Sequence, residues 1–358
     1  MNGARALIRT LVDAGVDTCF ANPGTSEMHF VAALDDVPEM RGVLCLFEGV
    51  VTGAADGYGR MADKPAATLL HRGPGLGNGL AKLHNARRAG SPMVNIVGDH
   101  ATGYGQDIFL TSDIATVAAN LESWVGVAGS SADVGRLAAE AVAAATGAPN
   151  QIATLVLPAD ASWSEGATPA SPITPAAPGT VPADRIEEIA GVLRSGEPVA
   201  ILVGGSVTRE AGVTAVSRVG AHTGAKVLCE CFPTRLERGA GLPALERLGY
   251  LGEFVQMQLD GIRHLVIVDA DTPASFFAYP DKDTSLVPAG CEVHELAGPA
   301  DDGAAALEAL AEALGAPTHA ATIQDLAPPD RPTGTLDPES LGAAIAAVLL
   351  LVLTFKFL

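Results

Sequence analysis

The stretch Val43-Leu44-Cys45-Leu46-Phe47-Glu48-Gly49-Val50-Val51-Thr52-Gly53-Ala54-Ala55-Asp56-Gly57-Tyr58-Gly59-Arg60 decides how this chain folds. An apolar run passes into small residues, with a single carboxylate, Glu48, at the join. Residues 42–47 read as a buried strand, and the segment from Glu48 to about Met61 reads as a helix. A carboxylate in the first turn of a helix meets unpaired backbone N–H groups and the positive end of the helix dipole, which stabilise its charge while burial opposes it. Poised between those effects, a carboxyl group can hold or pass a proton near neutral pH. A glutamate that only complements the dipole fits the same position, so the neighbouring segments must decide between the two.

Outward from that join the pattern alternates. Leu7, Ile8, Leu11 and Val12 recur at helical spacing up to Gly15, residues 16–21 read as a strand, and Asn22-Pro23-Gly24 as a turn. Thr25 or Ser26 is the expected N-cap of the next helix, with Glu27 in its first turn. Strands over 66–70, 92–97 and 152–158 and helices over about 80–89 and 132–145 complete a parallel sheet wrapped by helices. A Pro-, Ala-, Ser- and Thr-rich linker spans 163–182. A second unit repeats the alternation: helices over 183–195, 211–223 and 304–314, strands over 199–203, 226–231, 264–269 and 292–296, and the turn Gly204-Gly205-Ser206.

The fold class expected is α/β, with two doubly wound parallel-sheet domains over 1–162 and 183–315 and a second linker over 316–338. Residues 339–358 read as the truncated or frame-altered start of a third domain. Their apolar tail, with Lys356 and no basic flank, leaves a membrane anchor as the alternative. Phe276-Phe277-Ala278-Tyr279-Pro280 reads as a core edge or a lid.

With 358 residues, 48% hydrophobic and 18% charged, the chain can bury a sizeable core. A formal charge of −19 leaves no basic stripe, which argues against nucleic-acid partners. The five cysteines, Cys19, Cys45, Cys229, Cys231 and Cys291, read as reduced core thiols, and Cys229-x-Cys231 lacks a second ligand pair for a metal. The N-terminus enters an amphipathic helix without an apolar signal region, so a cytoplasmic location is expected.

Three loops follow successive strands of the first unit: residues 22–27, the Phe47-Glu48 join and His71-Arg72-Gly73-Pro74-Gly75-Leu76-Gly77-Asn78-Gly79. In an open parallel sheet such loops share the edge where ligands bind. Gly75-x-Gly77-x-Gly79 lacks the dinucleotide spacing and the Lys-Ser/Thr of a P-loop, so it is a weak phosphate site. Asp99-His100 is a further candidate pair near that edge, whereas His84 reads as structural.

Phe20-Ala21-Asn22-Pro23-Gly24, Glu48 with Ala54-Ala55-Asp56-Gly57-Tyr58, and Gly73-Pro74-Gly75 with Asn78 together resemble the pyrimidine-binding domain of thiamine-diphosphate-dependent enzymes. The group in question contains the acetolactate synthase large subunits and benzoylformate decarboxylase. The likeness is strong over about residues 1–160, and the second unit resembles the Rossmann-like central domain of the same enzymes. It implies that Glu48 hydrogen-bonds the cofactor's aminopyrimidine ring and promotes the imino tautomer that deprotonates the thiazolium carbon. Asn22, Pro23, Gly24, Gly73, Pro74, Gly75 and Asn78 would line the cofactor. His71 would exchange protons with substrate or merely cap a strand end. Thr25 would orient the substrate carboxylate, with Asp99 and His100 nearby.

The resemblance further implies a 2-oxo acid substrate such as pyruvate, a role in branched-chain amino acid biosynthesis, and a homodimer or homotetramer. The family holds the diphosphate and Mg²⁺ through Gly-Asp-Gly and Asn-Asn of a third domain, and neither motif follows Pro338. A half-site for thiamine diphosphate, with Mg²⁺ supplied from elsewhere, is therefore expected, and the chain would be inactive alone. No determinant for FAD stands out. The function expected is thiamine-diphosphate-dependent 2-oxo acid decarboxylation or carboligation; the alternative is a non-catalytic interaction subunit retaining the fold.

Overall fold

The computed structural model describes residues 1–355 except 105–106, 122–123, 279, 281–282, 320–321 and 328, with the backbone alone for 349–355. Tyr279 and Lys356, singled out above, lie outside the described residues.

The first unit runs α1 (Gly3–Asp13), β1 (Thr18–Asn22), α2 (Met28–Asp36), β2 (Arg41–Leu44), α3 (Glu48–Ala62), β3 (Ala66–Leu70), α4 (Arg72–Arg88), β4 (Met93–Asp99), α5 (Ile114–Ala119), β5 (Trp124–Val127), α6 (Ser131–Thr146), β6 (Ile152–Pro158) and α7 (Ala159–Trp163). Its six strands are parallel in the order β2-β1-β3-β4-β6-β5. The continuous apolar runs of β3 and β6 are buried on both faces. Helices α1, α2, α6 and α7 cover one face around Leu7, Leu11 and Phe30, and α3, α4 and α5 the other around Val51, Leu76 and Leu83. Because β2 and β3 lie on opposite sides of β1, the strand order reverses between the carboxyl ends of β1 and β3, where a ligand crevice forms.

Two sequence expectations change here. The run before Glu48 is not a buried strand: β2 is an edge strand ending at Leu44, and Leu44, Leu46 and Phe47 are 72%, 92% and 49% exposed. An unbroken apolar run does not reveal whether a strand has two neighbours or one, and this one pairs only with β1. The glycine-rich segment is not a loop but the first two turns of α4. A Cβ on Gly79 would stand 2.9 Å from Thr52 Cγ2, and one on Gly75 3.1 Å from Glu48 Oε1. These glycines, one helical turn apart, let α4 lie directly on α3. Thr52 Oγ1, 3.1 Å from the carbonyls of both Glu48 and Gly79, fastens the contact. The turn after β1 is also tighter than expected, a 3₁₀ turn over Thr25–Glu27 capped by Gly24 rather than by Thr25 or Ser26.

The linker is no free tether. Gly3 N–H donates to Ser164 O (3.2 Å), Ala167 N–H to Met1 O (3.0 Å) and Ala170 N–H to Thr10 Oγ1 (3.1 Å), which ties its first residues to α1.

The second unit comprises α8 (Ala183–Arg194), β7 (Val199–Val203), α9 (Glu210–Thr223), β8 (Lys226–Cys229), β9 (Glu246–Arg247), α10 (Gly252–Gln258), β10 (His264–Val268), β11 (Glu292–Ala297) and α11 (Gly303–Leu314), with α12 (Pro338–Phe355) beyond it. Its strands are parallel in the order β11-β10-β7-β8-β9. Helices α8, α9 and α11 cover one face; α10 and irregular segments cover the other through Leu248, Val255, Leu259 and Leu286. Cys229, the last residue of β8, lies in the core under α8, α9 and α11, while Cys231 packs against the core on the opposite face. Burial pushes Cys19 up to about 12 and Cys229 to about 11, so both stay protonated thiols. Among the described residues no helix is long and apolar enough to cross a membrane.

The units meet at the end of the Glu48 helix. Asp63, at φ 52°, follows α3 and accepts from Arg209 Nη2 (3.0 Å) and Arg235 Nη1 (2.9 Å). Arg235 Nη1 also donates to the carbonyls of Arg60 (3.1 Å) and Met61 (3.3 Å). Two cations thus satisfy carbonyls and the negative dipole end that a helix C-terminus leaves open.

Candidate active site

Helix α3 starts at Glu48 because Phe47 is extended (φ −162°, ψ 139°) and cannot continue a helical turn backward. Glu48 is 8% exposed. Asn78 Nδ2 donates to its Oε2 at 2.9 Å, and its Oε1 lies over Gly75, where any side chain would crowd it. The same Cβ position on Gly75 is 3.5 Å from His71 Cβ, so one glycine brings the Glu48 carboxylate and the His71 stem side by side.

The Ala54–Tyr58 segment does not touch this carboxylate. Asp56, also 8% exposed, is gripped by Arg60 through two bonds (2.8 and 2.7 Å) and by Ser91 Oγ (2.6 Å), and Tyr58 donates to Asp17 (3.2 Å). It fixes where the helix stands, and thereby where Glu48 points.

Glu27 is the residue sequence reasoning missed. At 1% exposure it is more buried than Glu48. Its Oε2 accepts from Gly24 N–H (2.8 Å) and lies 2.7 Å from His71 Nδ1. Its Oε1 is buried without a partner among the described residues, above Gly98, where a Cβ would overlap it. A carboxylate on Nδ1 places the proton there and leaves Nε2 free to exchange a proton elsewhere. The available sequence signal was a pair of glycines: Gly24 makes room for the His71 ring and Gly98 for Glu27.

Arg72 was also missed. It sits at φ 52°, a strained conformation for a non-glycine residue, and is held by donation from Nε to Ser26 Oγ (2.6 Å) and from Nη1 to His100 Nε2 (2.7 Å). Asp99 Oδ1 accepts from His100 N–H at 2.7 Å. Arg72 therefore ties together the loops after β1, β3 and β4.

The other expected residues separate. Asn22 Nδ2 donates to Cys45 O (2.8 Å), latching the end of β1 to the end of β2. Thr25 and Pro74 are exposed, and Gly73 packs against Ser112, where a Cβ would overlap Oγ. Gly24 N–H already has an acceptor in Glu27 and is not free to hold a phosphate. Among the described residues no three His, Cys, Asp or Glu ligand atoms converge at this edge.

The corresponding crevice of the second sheet opens on a cavity, and its own carboxylates line it and hold its turn. Ser206 donates from N–H (2.7 Å) and Oγ (2.8 Å) to Asp269 Oδ2, and Gly205 N–H donates to Glu230 Oε1 (3.0 Å). Burial raises the pKa of both acids. The N–H groups a dinucleotide phosphate would use are occupied by negative charge, so the residues present do not fit FAD phosphates at this turn.

The chain has relatives among known proteins. The family "Thiamine pyrophosphate enzyme, N-terminal TPP binding domain" matches residues 1–119. Over 351 residues, 98% of the chain, it is 58% identical to 67% of a Mycobacterium tuberculosis protein named "Putative acetolactate synthase large subunit IlvX". A benzoylformate decarboxylase of Pseudomonas aeruginosa is 34% identical over 156 residues, 43% of this chain and 29% of that one. The crystal structure of benzoylformate decarboxylase from Polynucleobacter necessarius superposes with a TM-score of 0.77 at 21% identity, covering 95% of this chain and 67% of that one, which shows a common fold. The chain thus spans about two thirds of the first relative and under a third of the second.

Proposed function

The chain belongs to the thiamine-diphosphate-dependent enzymes that include the acetolactate synthase large subunits, and from that premise we propose that it binds the pyrimidine half of thiamine diphosphate at Glu48. The observation that carries the proposal is the Glu48 carboxylate, nine-tenths buried, oriented by Asn78 and left uncrowded by Gly75. A pyrimidine ring nitrogen needs such a group, able to share a proton away from water, and the residues present fit it. Asn22, Pro23 and Gly24 shape the neighbouring wall. Gly73 and Pro74 belong to the same wall through the start of α4.

The reaction proposed is decarboxylation or carboligation of a 2-oxo acid, pyruvate being the simplest. The bound cofactor supplies the electron sink. Glu48 holds and returns the proton at the ring. His71, with Nδ1 held by Glu27, exchanges a proton with the substrate through Nε2. Arg72 would supply the cation that a substrate carboxylate needs, with Thr25 and the Asp99-His100 pair as its proposed surroundings. The diphosphate and its Mg²⁺ would be held by another domain, so the described residues form one half of the site, and the second sheet serves to brace α3. Exposed Leu44, Leu46, Phe47 and Val50 beside Glu48 offer an apolar surface to a second subunit, as expected of a site shared between subunits.

The test is binding and turnover by the assembled protein with thiamine diphosphate, Mg²⁺ and pyruvate, for the parent and for Glu48→Gln. Retained binding with lost turnover is expected of the variant. Full turnover in the variant would refute the assignment.

A further inference from the structure

At the opposite end of the second sheet, away from both crevices, three potential ligands converge on the first residues of β10 and β11. His264 lies across from Glu292 in the parallel register, and His294 follows Glu292 by two residues and so projects to the same face. His264 Nδ1 is 3.0 Å from His294 Nε2 and 3.8 Å from Glu292 Oε2, and the three ligand atoms lie within 4.8 Å of one another. A tetrahedral ion with bonds near 2.0–2.1 Å spaces its ligand atoms about 3.4 Å apart, a value the two distances bracket.

The carboxylate that such a site needs behind its histidine is already in place. Glu197, in the turn before β7, sets Oε2 2.7 Å from His264 Nε2. That carboxylate draws the proton to Nε2 and leaves the Nδ1 lone pair facing His294 and Glu292, the arrangement that orients metal-bound histidines. The His264 side chain is 12% exposed and held in place, whereas that of Glu292 is 73% exposed and can swing toward an arriving ion. Without metal, His294 Nε2–H donates to His264 Nδ1, and a cation would replace the shared proton.

We propose that His264, His294 and Glu292 bind one divalent transition-metal ion of the zinc class, with Glu197 orienting His264 and water as the fourth ligand. Two imidazoles and one carboxylate favour Zn²⁺, Ni²⁺ or Cu²⁺ over the hard cations Mg²⁺ and Ca²⁺. The site does not depend on the cofactor reading, since it lies at the amino ends of its strands.

Calorimetric titration of Zn²⁺ into the full, chelator-treated chain tests it, with Co²⁺ absorption reporting geometry. One saturable equivalent is expected, with the intense visible bands of four-coordinate Co²⁺ and a Tm that rises on loading. His264→Gln/His294→Gln should abolish that equivalent and Glu292→Gln weaken it. Glu197→Gln, which leaves all three ligands in place, should weaken affinity roughly 10- to 100-fold. The Tm of each metal-free variant confirms its fold, and the exposed Glu292 side chain tolerates exchange even if the double variant does not fold. No uptake by the parent, or equal uptake by Glu292→Gln and Glu197→Gln, would overturn the proposal.

Discussion

Each sheet reverses its strand order beside its first strand, between β1 and β3 in one and between β7 and β10 in the other, and a glycine turn follows that first strand: Gly24 after β1 and Gly204-Gly205 after β7. In both, the turn's N–H is taken by a nearby carboxylate, Glu27 in the first and Glu230 in the second. The outcomes diverge at the next atom. Glu27 passes its charge on to a histidine ring, and a second buried carboxylate, Glu48, stands behind the same helix start. Among the described residues Glu230 and Asp269 accept from backbone and a serine hydroxyl, and burial raises the pKa of both. Topology supplies a crevice; on the proposed reading, what the first carboxylate holds separates a site that moves protons from one that braces a fold.

The largest effect should come from removing the proton-holding group on the first side. Glu48→Gln keeps the shape and the contact with Asn78 but cannot carry a proton, so kcat of the assembled enzyme should fall roughly 10²- to 10⁴-fold with the circular dichroism spectrum unchanged. Glu27→Gln should cost less, about 10- to 100-fold, because it acts through His71. It should also displace the pH profile, which a purely structural role would leave in place. An unaltered profile would reduce Glu27 to a turn-closing residue and make the two crevices equivalent.

How much of this the sequence revealed depends on which interactions are local. Strands 66–70, 152–158 and 199–203 were legible to the residue, because fully buried parallel strands are short apolar runs bounded by turn residues. Glu48 at the start of α3 was legible because the apolar run gives way there to the small residues of a helix, although the run itself is not buried. The exposed edge of β2 was not, since edge status depends on which strands pair with β1 rather than on its own residues. Glu27 was hidden because its partner lies 44 residues away and its space is made by Gly98, a pairing no local period encodes. The glycine-rich segment misled in an instructive way, since glycine favours loops but also permits the closest helix contacts.

That ambiguity can be tested within one helix. Gly79→Ala would set a methyl 2.9 Å from Thr52 Cγ2 and push α4 from α3, for an expected loss of about 2 kcal/mol in urea unfolding. Gly77→Ala, two residues away, meets nothing within 4 Å and should gain roughly 0.5–1 kcal/mol from helix propensity alone. Equal effects at the two positions would mean the glycines serve flexibility, and the first crevice would lose the packing that sets Glu48 beside His71.

The smallest effect bears on the second crevice. Burial raises the Glu230 carboxyl above its unfolded value of about 4.3, so between the unfolded and folded values the native state holds the extra proton. Stability from this group is therefore fully present below the unfolded value and is lost as pH rises through the folded one. Glu230→Gln keeps an oxygen to accept from Gly205 N–H and removes the buried charge. It should raise stability at pH 7.5 by a few tenths of a kcal/mol, with the gain vanishing near pH 4, as followed by urea unfolding at both values. The gain is small because the group is only partly buried and its hydrogen bond survives. A loss at pH 7.5 would mean that the Gly205 turn needs a full negative charge, and the contrast between the two crevices would then rest on His71 alone.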